Sequence, residues 1–310
     1  MVRKKSAGGV LAVAVAAVLS LAYPMGAQAE PAVSGLNAKV SAFGGGGDFA
    51  GNGDRGLGGI AASITAPILL NLGLQVDGAY ARLGDDNFFD TGAHLFWRDP
   101  AVGLIGIYGG YAHIDGFGGQ DFGRVGAEAH RFLGNITFEG TAGIRFGDIP
   151  DRAYGSAKLQ YYATDNLMFS GGYTYEGRSF GTLGAEYQLA SRDGMGMALF
   201  ADSQIGNRDT FTVLGGLRLF FGGNDSLISR HRRQDPGNYV LPDMTAGQQA
   251  LSDAKTRQSR PAAAAPVCPF ADPGSQCQLQ IQCVGAGYTV ASPGPAACGC
   301  AAVLGVVVPC

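Results

Sequence analysis

From residue 34 to residue 221 the chain repeats one pattern: about ten residues alternate apolar with polar or small, and a turn signal then interrupts them. Successive side chains of a strand point to opposite faces, so a period of two is the signature of β-structure. Leu70, Leu72, Leu74, Val76 and Tyr80 share one face, and Asn71, Gln75 and Asp77 the other. Ile136, Phe138, Ala142, Ile144 and Phe146 oppose Thr137, Glu139, Thr141 and Arg145. Leu183, Ala185, Tyr187 and Leu189 oppose Thr182, Glu186 and Gln188. Phe211, Val213, Leu217, Leu219 and Phe221 oppose Thr210, Thr212 and Arg218. Turn signals include the glycine run 44–47, Gly84-Asp85, Asp99-Pro100, Gly134-Asn135, Asp165-Asn166 and Asp193-Gly194. With a break near Pro67, they cut the region into twelve strands, near 34–43, 57–66, 69–81, 89–98, 102–113, 121–132, 135–146, 153–163, 167–176, 180–190, 195–205 and 210–221.

Evenly spaced strands make a sandwich or a barrel, and the content of the two faces separates a water-facing from a lipid-facing wall. By strand parity the polar face carries Lys39, Asp77, Asp90, Arg98, Arg124, Glu128, Glu139, Arg145, Lys158, Glu186, Asp202 and Arg218. The apolar face has almost no charge away from strand ends, as expected where Arg or Lys at mid-membrane costs ~2–4 kcal/mol. Its aromatics gather near strand ends: Phe89, Trp97, Phe146, Tyr161, Phe169, Tyr173, Tyr175, Tyr187, Phe211 and Phe221. Composition agrees. Only 15% of the residues are charged and 51 are glycine, and glycine at that density disfavours helical bundles. The last strand, Leu214-Gly215-Gly216-Leu217-Arg218-Leu219-Phe220-Phe221, resembles the C-terminal assembly signal of outer-membrane barrel proteins, with Leu219 where an aromatic is common. Residues 34–221 therefore resemble a bacterial outer-membrane β-barrel of the porin-like kind. The resemblance implies an all-β, closed antiparallel transmembrane barrel in a Gram-negative outer membrane, in contact with lipid and handled by the barrel-assembly machinery through its last strand.

The flanks divide the chain further. Arg3, Lys4 and Lys5, the apolar stretch Val10 to Leu21, and Ala27-Gln28-Ala29 read as a signal peptide over 1–29. Without its three bases the chain keeps 19 basic against 25 acidic residues, a balance that argues against nucleic-acid binding. The barrel occupies 30–222. Residues 223–266 are polar, with Pro, Ala, Gln and Arg, and are expected to be a flexible linker in which Arg230-His231-Arg232-Arg233 is solvated or meets anionic headgroups. Residues 267–310 hold Cys268, Cys277, Cys283, Cys298, Cys300 and Cys310. In an exported chain six cysteines are expected to form disulfides, with fifteen possible pairings. The tail is expected to be a small periplasmic module with a periplasmic or cell-wall partner.

Three roles follow for such a barrel. In the first, the lumen residues Lys39, Asp77, Arg98, Arg124, Glu128, Glu139, Arg145, Lys158, Glu186, Asp202 and Arg218 line a narrow passive channel for small polar or charged solutes. In the second, the same charges pair across a closed lumen and the barrel is a scaffold anchoring the tail. The third is an outer-membrane lipid hydrolase, which needs a nucleophile beside a histidine. His94, His113 and His130 have lumen parity, and no Gly-x-Ser-x-Gly elbow is present. Neither catalytic residues nor a cofactor or metal are expected.

Overall fold

The computed structural model describes residues 30–48, 54–116, 118–206, 210–237, 239–240 and 242–247, together with four short strands of the tail. Twelve strands form the barrel: β1 Asn37–Asp48, β2 Asp54–Leu69, β3 Leu72–Leu83, β4 Asp86–Asp99, β5 Gly103–Ile114, β6 Gln120–Leu133, β7 Ile136–Gly147, β8 Arg152–Thr164, β9 Leu167–Tyr175, β10 Ser179–Arg192, β11 Met195–Gly206 and β12 Phe211–Phe221. Each pairs antiparallel with its sequence neighbours, and β1 pairs with β12 to close the wall. Closure leaves no unpaired edge, which is the condition for a sheet to sit in hydrocarbon.

The wall is inside-out relative to a water-soluble protein. Ile60, Val76, Ile107, Val125, Ile144, Leu183 and Leu199 are exposed on the outer surface. Lys39, Asp77, Asp90, Arg98, Arg124, Glu128, Glu139, Arg145 and Glu186 are buried within. Only a solvent of lipid makes that arrangement favourable, so the barrel is transmembrane. Tyr80, Phe89, Phe146, Tyr173 and Phe211 are exposed toward one rim, and Trp97, Tyr161, Phe169, Tyr187 and Phe221 toward the other, as two interfacial belts. Strand β5, apolar on both faces in sequence, turns Ile105, Ile107 and Tyr111 outward and Leu104, Tyr108 and Ala112 inward.

The two mouths differ. At the terminal mouth, where β1 begins and β12 ends, strands are joined by two or three residues; at the loop mouth the connections run from two to five. In the terminal-mouth turn Asp193-Gly194 both residues have positive φ, 53° and 79°, the left-handed pair that matches strand twist in a two-residue hairpin.

Two expectations are corrected here. The break near Pro67 is absent: β2 runs on to Leu69, and a register shift between Pro67 and Leu69 accommodates the proline, which has no N–H for the ladder. The glycine run 44–47 is strand instead of turn, with Gly44 opposite Gly215 and Gly47 opposite Thr212. Its glycines permit close approach of β12. A Cβ at Gly45 would lie 2.0 Å from the Val213 carbonyl oxygen, and one at Gly47 1.9 Å from that of Phe211. At Gly44 the nearest atom would be 3.7 Å away. Gly45→Ala should therefore destabilise the barrel by at least the ~1–3 kcal/mol of an overpacked site, and Gly44→Ala should not. Heat-modifiable gel mobility reads this out: the Gly45 variant should unfold at lower temperature than the parent, and equal transitions for the two variants would refute the close-approach account.

Residues 223–247, expected as the first part of a linker, are not one. A helix, α1 (Leu227–Arg233), follows β12, and residues 242–247 are helical again. Leu227, Arg230, Gln234, Asp235, Tyr239, Val240, Asp243, Met244, Thr245 and Ala246 are buried. The reason is the polarity of the lumen: a polar segment finds its hydrogen-bond partners there as readily as in water. In the tail, taken by itself, β13 (Gln280–Val284) pairs antiparallel with β14 (Gly287–Ala291), and β15 (Ala301–Val303) with β16 (Val306–Val308). Cys283 falls in β13. Cys268, Cys277, Cys298, Cys300 and Cys310 lie outside the described residues, as do the signal peptide and residues 248–266.

Candidate functional site

The site is the lumen and the segment within it. Alternation places one side chain in two of each strand inside, so charges far apart in sequence meet across the bore. Three layers result, stacked from the terminal mouth to the loop mouth.

At the terminal mouth, arginines hold the chain by uncharged acceptors. The fully buried Arg98 donates from Nε to the Ala32 carbonyl oxygen at 2.5 Å and from Nη2 to that of Gln234 at 2.6 Å. It ties the chain before β1 to the chain after β12. Arg230 is also fully buried. It donates to Gln188 Oε1 (3.1 Å), Gln234 Oε1 (3.0 Å), Ser191 Oγ (3.1 Å) and the Gly223 carbonyl (2.6 Å), and lies over the Phe220 ring at 5.0 Å. Arg232 donates to the carbonyls of Gly134 and Ile136 and lies over the rings of Phe132 and Tyr162. His231 Nδ1 is 2.9 Å from the Tyr162 hydroxyl. The basic run expected in solvent or at headgroups is thus largely inside the mouth; Arg233 alone of the four is exposed, paired with Glu30 at 3.0 Å.

In the middle layer Lys39 pairs with Asp235 at 2.6 Å. His94 is held between two carboxylates, with Nε2 2.9 Å from Asp77 and Nδ1 3.0 Å from Glu128. Tyr239 donates to Glu128 at 2.9 Å and stacks on His94 at 5.4 Å between centroids. On the opposite wall Glu139 pairs with Lys158 at 2.9 Å and Glu186 with Arg218 at 2.5 Å.

Nearer the loop mouth, Arg124 and Arg145 share Glu176, at 3.2 and 3.1 Å. Arg124 also contacts Asp243 and lies over the Tyr154 ring at 4.7 Å. Thr245 donates to Gln204 at 2.5 Å. Above them Val240, Met244 and Ala246 join Leu57, Leu83, Phe88, Ile114, Phe122 and Ile149 in a buried apolar cluster. Here the filling is a hydrophobic core.

Of the lumen residues expected from the sequence, Lys39, Glu128 and Arg124 bond directly to the inner segment, as does Arg98. Glu139, Lys158, Glu186, Asp202 and Arg218 line a cavity of about 190 Å³ along β7–β11. Asp90 is buried, and its Oδ1 has no hydrogen-bond partner among the described residues. Sequence reasoning missed Glu176, placed at the very end of a strand, and Asp235, Tyr239, Asp243 and Arg230, all read as linker. The signal available was the spacing of Val240 and Met244, four apart as on one face of a helix, with Asp243 beside them.

The chain matches no protein-family profile and no curated protein. Solved structures do resemble it. The translocator domain of the autotransporter NalP from Neisseria meningitidis aligns with 69% of this chain and 94% of its own, at 11% identity and a TM-score of 0.44. An outer membrane channel from Pseudomonas putida F1 aligns with 64% of this chain and 99% of its own, at 12% identity and a TM-score of 0.42. The outer membrane phospholipase of Salmonella typhi, a dimer with bound calcium, aligns with 66% of this chain and 95% of its own, at 12% identity and a TM-score of 0.40. These relatives do different things, and the likeness is one of barrel architecture that carries no activity to this chain.

Proposed function

We propose that this barrel is closed by its own residues 223–247 and serves as an outer-membrane anchor for the segment that follows them. The observation that carries this reading is the continuous set of contacts between the inner segment and the wall, from Arg98 and Arg230 through Lys39–Asp235 and Glu128–Tyr239 to Arg124–Asp243. Each removes from the lumen a charge or donor that a solute would otherwise meet. The test is a planar bilayer recording. The full chain should give no stable conductance steps, and a variant lacking residues 227–247 should give large ones. Large steps from the intact chain would overturn the closed reading.

A passive channel is the second reading, and the cavity along β7–β11 favours it. At about 190 Å³ it is large enough for ordered water, and Glu139, Lys158, Glu186, Asp202 and Arg218 line it. Under that reading the intact chain conducts weakly, and Lys158→Ala shifts its ion selectivity. A hydrolase has less support: the polar partners described for His94, His113 and His231 are carboxylates and a phenol. In the anchor reading the tail cysteines are paired as disulfides and the last strand is what the assembly machinery handles.

A further inference from the structure

We infer that the barrel displays its own C-terminal segment on the outer face of the membrane, with residues 223–247 as a single pass of chain through the lumen. This rests on the anchor reading and goes beyond it, because it assigns the tail a side. The direction of the pass is written in its contacts. It begins at the terminal-mouth turn between β8 and β9, where the Leu227 amide donates to Asn166 Oδ1 at 3.2 Å and the Ile228 amide to the Asp165 carbonyl at 3.0 Å. Asp235 then meets Lys39, two residues into β1. Tyr239 meets Glu128 and, four residues later, Asp243 meets Arg124, four residues closer to the loop end of β6. At Gly247 a Cβ would lie 3.4 Å from Ile114 and 3.6 Å from Phe88, at the loop ends of β5 and β4. Position in the segment and height in the bore rise together, without a reversal.

Sidedness follows from the connections. Short turns belong to the periplasmic rim of such barrels and longer loops to the outside, which makes the terminal mouth periplasmic and the loop mouth external. Residues 248–310 are therefore joined to the barrel from outside. A return inside the bore would take about ten extended residues, through a lumen already occupied by residues 223–247 and the buried side chains paired with them. A return through lipid would strand backbone hydrogen-bonding groups in hydrocarbon. The module expected in the periplasm, with its six cysteines, belongs instead to the cell surface, itself an oxidising place where disulfides persist.

The test uses the full chain in the outer membrane of intact cells, with a short epitope after Cys310 and, in separate controls, the same epitope at 118–119 in the β5–β6 loop or at the Asp193-Gly194 turn. Heat-modifiable mobility verifies that each barrel is folded. Antibody should label the tail and loop epitopes on intact cells and the turn epitope only after permeabilisation. Joining residue 223 directly to 248, so that nothing threads the bore, should make the tail epitope reachable only after permeabilisation. Tail labelling that needs permeabilisation in the parent overturns the display, and turn labelling on intact cells overturns the sidedness on which it stands. Neither result bears on closure, which the bilayer recording measures separately. A silent bilayer with a periplasmic tail would leave the plug and remove the display.

Discussion

Arg230→Ala should turn a silent barrel into a conducting one. Its guanidinium donates to four acceptors that alanine leaves without a donor, two of them on the wall at Gln188 and Ser191 and two on the inner segment at Gln234 and Gly223. Each buried acceptor so stranded costs about 1–3 kcal/mol. Water entering the mouth recovers part of that, so the net loss to the closed state is on the order of 3–5 kcal/mol. At about 1.4 kcal/mol per tenfold, the ratio of closed to open states should fall at least a hundredfold. Bursts of conductance should appear in bilayers for the variant and not for the parent. Arg233→Ala is the control, since its pair with Glu30 is about half exposed on both sides and worth ~1 kcal/mol or less. Silent recordings from the Arg230 variant, with its barrel still heat-modifiable, would show that the terminal mouth is not where the segment is held.

Asp243→Ala should act as strongly from the other end. Arg124 and Arg145 are both buried, and between them they have Glu176 and Asp243. Removing Asp243 leaves two guanidinium groups facing one carboxylate out of water. Breaking a buried pair in this way costs about 3–5 kcal/mol, mostly because the surviving charge is uncompensated. The expected result is a lowered unfolding temperature on gels together with flickering conductance. Arg124→Leu added to Asp243→Ala restores charge balance and should recover most of the lost stability. If the double variant is no better than the single, the loss comes from packing, and charge balance is not what holds residues 242–247.

The wall of this protein was readable from its sequence, and its contents were not. Alternation at Val76/Asp77, Ile144/Arg145 and Leu217/Arg218 assigns each residue to lipid or lumen, because lipid and charge do not tolerate each other. Register at Pro67 and at the glycine run was misread, since proline and glycine are turn residues by default and their use in a bulge or a close approach depends on the neighbouring strand. The inner segment escaped for a different reason. Its partners lie far away in sequence: Gln234 meets Arg98 across 136 positions, and Tyr239 meets Glu128 across 111. Its composition is also that of a water-facing chain, and a polar lumen selects for the same residues as water does. Hydrophobic periodicity finds segments that leave water for oil, and this one leaves water for another polar surface.

The two ends of the segment are held by different chemistry, and so different agents release them. At the terminal mouth Arg98, Arg230 and Arg232 donate mostly to carbonyls and amide oxygens. Neither a guanidinium nor a carbonyl or amide oxygen takes up a proton as the medium is acidified, so those bonds are indifferent to acid. At the loop mouth Arg124 faces Asp243, a carboxylate of the segment itself, whose charge acid can remove. In an acidified environment the segment would loosen from its outer end while the arginine bonds at its inner one persist. A tether secured in that order can slacken at the surface without being let go from the membrane.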